Sequence, residues 1–204
     1  VQKLKNKTMK SRERLMTVAT ALVLAVILIS CDKYDSEAVN KSLETAECNQ
    51  QDPESSTVCD FTATLTDPEI ATLMHMREEE KVARDVYNKF YELYNMPVFR
   101  NIAISEQRHM DAVLNLIVGY GLTDPVAGKG PGEFTPAFQS LYDELIVKGT
   151  NLTEALTVGV AIEELDISDL EEAIESTEVA TLLRVYNNLL AASKNHLNAF
   201  SSKL

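Results

Sequence analysis

The sequence contains no tryptophan, and its 7 glycines and 6 prolines are few for 204 residues. Turn-rich sheet proteins need more of both, because these residues supply the special backbone angles of tight turns. No segment shows the strict polar–apolar alternation of a half-buried strand. Basic residues are also scarce, since 19 Lys and Arg stand against 31 Asp and Glu, for a net charge of −12. We therefore expect helices, with nucleic acid excluded as a partner.

The first thirty residues are expected to be removed rather than to join the fold. A basic segment precedes an apolar run over residues 18–29 that is too short for a mature membrane-spanning helix. The run ends in Ser30-Cys31, which resembles the lipobox of bacterial lipoproteins. We predict a lipoprotein signal peptide over 1–30, with Met9 as an alternative start that leaves 1–8 upstream. The resemblance implies lipidation of Cys31 and a lipid-anchored, extracytoplasmic place in the bacterial cell envelope. A signal anchor with an incidental cysteine is the alternative.

Residues 31–62 are polar and acidic, show little periodicity, and are predicted to be a tether. Cys48 and Cys59 lie within it and favour a disulfide outside the cytoplasm, with two free thiols as the alternative. Without residues 1–30 the chain keeps 13 of its 19 Lys and Arg and 30 of its 31 Asp and Glu, a net charge of −17. Such acidity would be repelled by an anionic membrane surface, so the lipid would do the anchoring.

The domain is predicted over residues 63–204, where 3.6-residue periodicity replaces the polar composition. Thr66-Asp67-Pro68-Glu69 is typical of a helix start. Long helices are expected over 68–94, 98–120, 151–175 and 178–200. A glycine-rich connection separates the second from the third and contains a short helix over 136–148. This order predicts an all-α, ferritin-like four-helix bundle with one long crossover that holds a short extra helix.

Ionisable residues interrupt the apolar faces of all four long helices. Glu106 and His109 are three residues apart, so both point from one face of the second helix. Glu80 is in register with the apolar stripe of the first helix, whereas Glu78 lies on what should be its wetter side and Glu79 is ambiguous. Glu163 and His196 occupy corresponding faces of the third and fourth helices.

This ordered set of carboxylates and imidazoles is typical of di-metal bundles. Such sites take an inward Glu from two helices and Glu-x-x-His from the other two. A mixture of carboxylate oxygen and imidazole nitrogen suits iron or manganese. The sequence therefore predicts one or two ions of iron or manganese as cofactor.

The sequence resembles the ferritin-like superfamily, rubrerythrin-type bundles in particular, and is most similar to the family DUF2202. The resemblance covers about residues 63–201. It rests on the segments 76–87, 100–109, 141–145, 162–164 and 195–197. The spacing from Glu80 to Tyr87 resembles that between the first ligand and a Tyr in rubrerythrin-like helices, which favours Glu80 over Glu79.

One departure from the pattern concerns the fourth helix, where Ser193 stands in place of the Glu of Glu-x-x-His. Asp166 lies one turn after Glu163 and is the expected replacement, because rubrerythrin-like proteins place a second acid at that offset. Water filling the gap, or a single ion, is the alternative. Each residue also has an ordinary interpretation: His196 as a core histidine, Glu106 with His109 as a buried hydrogen-bonded pair. His75 is expected at the surface.

Three functions are consistent with this pattern. The first is a membrane-anchored metal protein whose resemblance suggests redox chemistry on oxygen or peroxide. The second is a metal storage or delivery protein without turnover. The third is a structural or partner-binding helical lipoprotein whose site is degenerate at Ser193. Its assembly state is left open, with a homodimer as one alternative.

Overall fold

The computed structural model describes residues 60–204, and within that range the chain is helical without any strand. The helices are α1 (Asp67–Tyr94), α2 (Pro97–Gly119), α3 (Pro136–Lys148), α4 (Leu152–Glu175) and α5 (Ala180–Ser201). These bounds confirm the predicted helices to within a few residues. None of the five is long and apolar enough to cross a membrane. The predicted signal peptide, Cys31, Cys48 and Cys59 lie outside the described residues.

Local sequence explains where the helices begin and end. Thr66 and Glu69 form a reciprocal capping box at the start of α1, in which the Thr66 amide donates to Glu69 Oε2 at 2.8 Å. Asn95 ends that helix in the left-handed conformation with φ of 48°, and Pro97 opens α2 in the position that Pro favours. Asn151 caps α4 by accepting from the Glu154 amide at 3.0 Å.

The four long helices bury two separate apolar cores. The aromatic core contains Tyr87, Phe90, Phe99 and Phe200, whose rings meet at centroid distances of 5.0–6.4 Å. The leucine-rich core includes Leu73, Met76, Val113, Leu116, Leu170 and Leu189. Burial of each such large side chain stabilises the fold by about 1.5–3 kcal/mol.

The order of the cores along the chain gives the helix directions. α1 and α5 run from the leucine-rich core to the aromatic core, whereas α2 and α4 run the other way. The most extensive packing joins α1 to α2 and α4 to α5, and smaller contacts join α1 to α4 and α2 to α5. Since α2 and α4 run in the same direction, the chain between them must return along the whole length of the domain.

That returning segment packs on α1 through a buried polar network. Lys81 Nζ lies 2.7 Å from Asp85 and donates to the Gly130 carbonyl at 2.8 Å. The Gly132 amide donates to Asp85 at 2.9 Å, and Lys81 lies 4.3 Å from the centre of the Phe134 ring. The crossover is therefore held by charge-assisted hydrogen bonds as well as by apolar contacts.

The expectation that one side of α1 is wet was wrong. Glu78, Glu79 and Glu80 are 6%, 5% and 2% exposed, and all three are buried. The burial of Glu78 is compensated by Thr135, whose amide and hydroxyl both donate hydrogen bonds to that carboxylate at 2.8–3.1 Å. The crossover covers the side of α1 that the periodicity assigns to solvent.

Candidate metal centre

Six ionisable side chains form a polar layer between the two cores. On each long helix the relevant residue falls between the part that enters one core and the part that enters the other. Each of them is at most 5% exposed, and they are Glu80 on α1, Glu106 and His109 on α2, Glu163 and Asp166 on α4, and His196 on α5. Burying so many charges is unfavourable unless they are paired, protonated or bound to cations. This layer is the candidate metal centre.

Glu106 lies at the middle of the centre. Its Oε2 is 2.8 Å from His109 Nδ1, and its Oε1 is 2.9 Å from His196 Nδ1. A second carboxylate approaches each imidazole nitrogen, Glu80 at 3.1 Å from His109 and Glu163 at 3.5 Å from His196. The two rings are stacked with centroids 5.4 Å apart. The centre therefore consists of two donor sets, each with one imidazole and two carboxylates, that share Glu106.

These separations fit metal coordination. Ligands about 2.0–2.2 Å from one ion lie about 2.8–3.6 Å apart at octahedral or tetrahedral angles. The four nitrogen–oxygen distances run from 2.8 to 3.5 Å. Glu80 Oε1 and Asp166 Oδ1 are buried acceptors that no protein donor satisfies, which is uncommon in a folded protein. The residues present therefore fit a cation, and the nitrogen and oxygen donors suit iron or manganese.

Without metal, the central carboxylate and its imidazoles favour their charged forms. Burial would raise the pKa of Glu106, but His196 and His109 hold that pKa well below its usual range. Burial lowers the pKa of His109, yet Glu80 and Glu106 raise it well above its usual value. For His196 the pKa rises to about 10, because Glu106 and Glu163 outweigh burial. An ionised Glu106 between two imidazolium rings is thus the preferred metal-free arrangement.

The outer carboxylates favour their neutral forms. Burial, together with repulsion from Asp166, raises the pKa of Glu80 well above its usual range. Burial and Glu106 raise the pKa of Glu163, and burial with Glu163 raises the pKa of Asp166 to about 8. The centre has four carboxyl groups and only two imidazoles. Protons on the outer carboxyl groups therefore neutralise negative charge that bound cations would otherwise balance.

Asp166 and Ser193 are hydrogen-bonded to each other at the point where the Glu-x-x-His pattern lacks its glutamate. Asp166 lies outside both three-residue donor sets. Its Oδ2 accepts a hydrogen bond from the Ser193 hydroxyl, whose single proton is shared with the Leu189 carbonyl at 2.9 Å. Ser193 thus holds a carboxylate from the neighbouring helix beside the centre, while Asp166 Oδ1 stays available. The role of Asp166 as a metal ligand stays a prediction.

Tyr87 supports the centre from the aromatic core. Its hydroxyl donates to Glu163 Oε1 at 2.6 Å. Burial and the negative charge of Glu163 raise the pKa of Tyr87 well above its usual range, so the phenol keeps its proton. The sequence indicates Tyr87 only by its spacing from Glu80. Its hydrogen-bond partner Glu163 lies on another helix, so the spacing could not predict it.

His75 belongs to a second group that sequence reasoning missed. We expected it at the surface, but it is only partly exposed and its Nε2 lies 3.5 Å from Glu79 and 3.3 Å from Asp169. The four-residue spacing of His75 and Glu79 is the one signal in the sequence. Glu79, which was ambiguous, faces this group rather than the centre.

The fold and the site together define an all-α protein with a buried centre of carboxylates and imidazoles. Residues 69–204 match the family model described as "Uncharacterized protein domain (DUF2202)". The chain therefore belongs to the DUF2202 family, as its sequence motifs indicated.

The chain is also similar to a known relative and to a solved structure. The chain is 46% identical over 138 residues to "Uncharacterized protein MJ0754" of Methanocaldococcus jannaschii, a match that covers 67% of this chain and 75% of the relative. It is also similar to the crystal structure of hypothetical protein MJ0754 from Methanococcus jannaschii, with 44% identity and a TM-score of 0.68. That match covers 70% of this chain and 82% of the other.

Proposed function

We propose that this protein is a ferritin-like di-metal carboxylate protein. It binds one or two ions of iron or manganese and uses them in redox chemistry on oxygen or peroxide. It does so at the cell envelope, where lipidated Cys31 anchors it. The single observation that carries the proposal is the shared position of Glu106, whose two oxygens face two different imidazoles at 2.8 and 2.9 Å. A carboxylate in that position is suited to bridge two cations.

The arrangement of the helices supports the ferritin-like part of the proposal. Ferritin-like bundles have two antiparallel helix pairs joined by one long crossover. Here α1 packs on α2 and α4 packs on α5, while the segment from Tyr120 to Thr135 and the helix α3 connect the two pairs.

The ligand assignment follows from the two donor sets. Glu80 and His109 would hold one ion, Glu163 and His196 the other, and Glu106 would bridge them. Asp166 is the proposed sixth ligand, held in place by Ser193. Bound iron or manganese would supply the electrons for chemistry on oxygen or peroxide.

The protein's own residues control protons and water around the centre. Tyr87 donates a hydrogen bond to Glu163, which fixes the orientation of that carboxylate. Glu80, Glu163 and Asp166 hold protons more readily than exposed carboxyls do, and these protons must leave when cations bind. The two apolar cores restrict the approach of bulk water from both ends of the helices.

Metal analysis of the reconstituted chain tests the proposal. The purified full chain is loaded with Fe²⁺ or Mn²⁺ without oxygen, desalted, and analysed for bound metal. We expect the wild type to hold at least one tightly bound equivalent more than Glu106→Gln does. Glu164→Gln, an exposed change on α4, is the matched control and should bind as the wild type does.

Folding must be measured alongside metal content. Circular dichroism identifies variants that do not fold, and His109→Gln provides a second variant that lacks a donor of the same centre. A folded wild-type chain that retains no metal after loading would overturn the proposal. Consumption of oxygen or peroxide by the loaded protein tests the redox part separately.

A second candidate function is that of a non-catalytic helical lipoprotein for metal storage or partner binding. It is favoured by the ion pairs within the centre, because His109 and His196 can each pair with Glu106 when protonated. Bound metal without turnover would support storage. A stable, metal-free protein would support a structural role.

A further inference from the structure

A second group of converging donors lies outside the centre. His75 and Glu79 are one turn apart on α1, and Asp169 faces them from α4. His75 Nε2 lies 3.5 Å from Glu79 Oε2 and 3.3 Å from Asp169 Oδ2. Both carboxylates are buried, at 5% and 8% exposure, although they belong to residue types that rarely are.

This group differs from the centre in its access to solvent. The side chain of His75 is 35% exposed, whereas His109 and His196 are at most 2% exposed. Glu79 directly precedes Glu80 on α1, and Asp169 comes three residues after Asp166 on α4, so the same two helices carry both groups. A cation can therefore reach His75 from solvent without passing through the centre.

The chemistry of the group fits a divalent cation. Imidazole nitrogen and carboxylate oxygen are both ligands of such cations, and a site with three protein donors leaves a coordination position for water. Their ligand atoms all lie within 4.8 Å of one another, and the nitrogen–oxygen distances of 3.3 and 3.5 Å suit donors about 2.1 Å from one ion. The ring of Phe138 packs on His75 at 5.0 Å and fixes its orientation.

We propose that His75, Glu79 and Asp169 form a second, outer site for a divalent cation of the Zn²⁺, Mn²⁺ or Fe²⁺ class. The site needs no ion at the buried centre, so it stands independently of the proposed function. The alternative to a cation site is a structural hydrogen bond between His75 and Asp169. A cation site predicts that an added cation binds the His75 Nε2 nitrogen, whereas a structural hydrogen bond predicts that it does not.

Chemical modification of histidine separates these two cases. Diethyl pyrocarbonate acylates accessible neutral imidazoles, and the chain has only 3 histidines, two of which are buried. In the metal-free full chain, peptide mass spectrometry should find His75 as the rapidly modified histidine. Zn²⁺ is the probe, and saturating Zn²⁺ should slow modification of His75 at least tenfold.

Variants locate the effect. Asp169→Asn should abolish the protection at the same Zn²⁺ concentration, whereas Glu164→Gln, an exposed change on α4, should keep it. Glu79→Gln serves in place of Asp169→Asn if the latter fails to fold by circular dichroism. In Glu106→Gln, which disables the inner centre, protection of His75 should persist, so failure of one site is distinguishable from failure of the other. Zn²⁺ that leaves the rate unchanged in the wild type, or protection lost in Glu106→Gln, would overturn the outer site.

Discussion

The hydroxyl of Ser193 donates a hydrogen bond to Asp166 across the interface between α4 and α5. The bond lies where an unbroken Glu-x-x-His pattern would place a glutamate on α5. A carboxylate is therefore present beside the centre, but it comes from the neighbouring helix and is held by Ser193, which occupies that position on α5. The pair is best treated as one unit in experiments.

Ser193→Ala should lower the stability of the metal-free protein. Loss of the hydrogen bond leaves Asp166 Oδ2 buried without a donor, which costs about 1–3 kcal/mol. The Ser193 bond also lowers the pKa of Asp166, so its removal should raise that pKa further. Urea denaturation with chelator at pH 9, where Asp166 ionises in the wild type, measures the change. Ser201→Ala, at an exposed position of α5, should have little effect, and equal stability of the two variants would contradict the prediction.

The metal-free protein should lose stability as the pH rises from 6.5 to 10. The pKa of His196 is raised to about 10, so its stabilisation is complete below the unfolded value of about 6.5 and disappears as the pH passes 10. The pKa of Asp166 is raised from 3.8 to about 8, so between those pH values the folded state keeps a proton that the unfolded state has lost, and the free energy of unfolding falls as the pH rises. Each proton lost contributes a slope of about 1.4 kcal/mol per pH unit. Denaturation across this range should show the decline, and a shallower decline below pH 8 in Asp166→Asn.

Metal binding should have the opposite pH dependence. Cations require deprotonated donors, and the raised pKa values of Glu80, Glu163 and His196 mean that protons compete with them. The affinity for Mn²⁺ should therefore rise with pH between 6 and 8. Calorimetric titration in buffers of different ionisation enthalpy should detect proton release on binding. An affinity that does not vary with pH would argue that Glu80, Glu163 and His196 are not the ligands.

Tyr87→Phe should weaken metal binding without abolishing it. The change removes the donor that orients Glu163, and loss of such a supporting hydrogen bond costs about 10–100-fold in metal affinity. Competition with a metal-binding dye measures the affinity. Tyr186→Phe is the matched control, because Tyr186 is a buried tyrosine of the leucine-rich core. Comparable losses in both variants would point to general destabilisation.

Lys81→Met should loosen the crossover. The substitution leaves Asp85 buried with one fewer cation, and breaking a buried pair costs about 3–5 kcal/mol, with Arg84 reducing that loss. Hydrogen exchange should increase at Gly132, whose amide donates to Asp85. Lys89→Met breaks an exposed pair with Glu92 and should cost less than about 1 kcal/mol. Unchanged exchange at Gly132 would show that the apolar contacts alone hold the crossover.

The helices were predictable because their signals are local. The capping box at Thr66, the prolines that begin α2 and α3, and the 3.6-residue periodicity are all visible within one or two turns of sequence. The three-residue spacing of Glu106 and His109 likewise placed both on one face. Local signals therefore also predicted which side chains enter the polar layer.

Contacts between distant segments were not predictable in the same way. Glu78 accepts hydrogen bonds from Thr135, which is 57 positions away, and His75 pairs with Asp169, which is 94 positions away. Periodicity on one helix reports a face but does not identify the segment that covers it. The crossover and the Ser193–Asp166 bond are consequences of topology, which a single helical pattern does not contain.

The shared position of Glu106 limits how the two donor sets can be separated. Any change to this residue alters both sets at once, so variants at this position cannot report on one donor set alone. If the centre binds two ions as proposed, restricting it to one requires a change at the periphery, at Glu80 on one side or at Glu163 on the other. Comparing a Glu80 variant with a Glu163 variant would show whether the two donor sets have the same role or different roles.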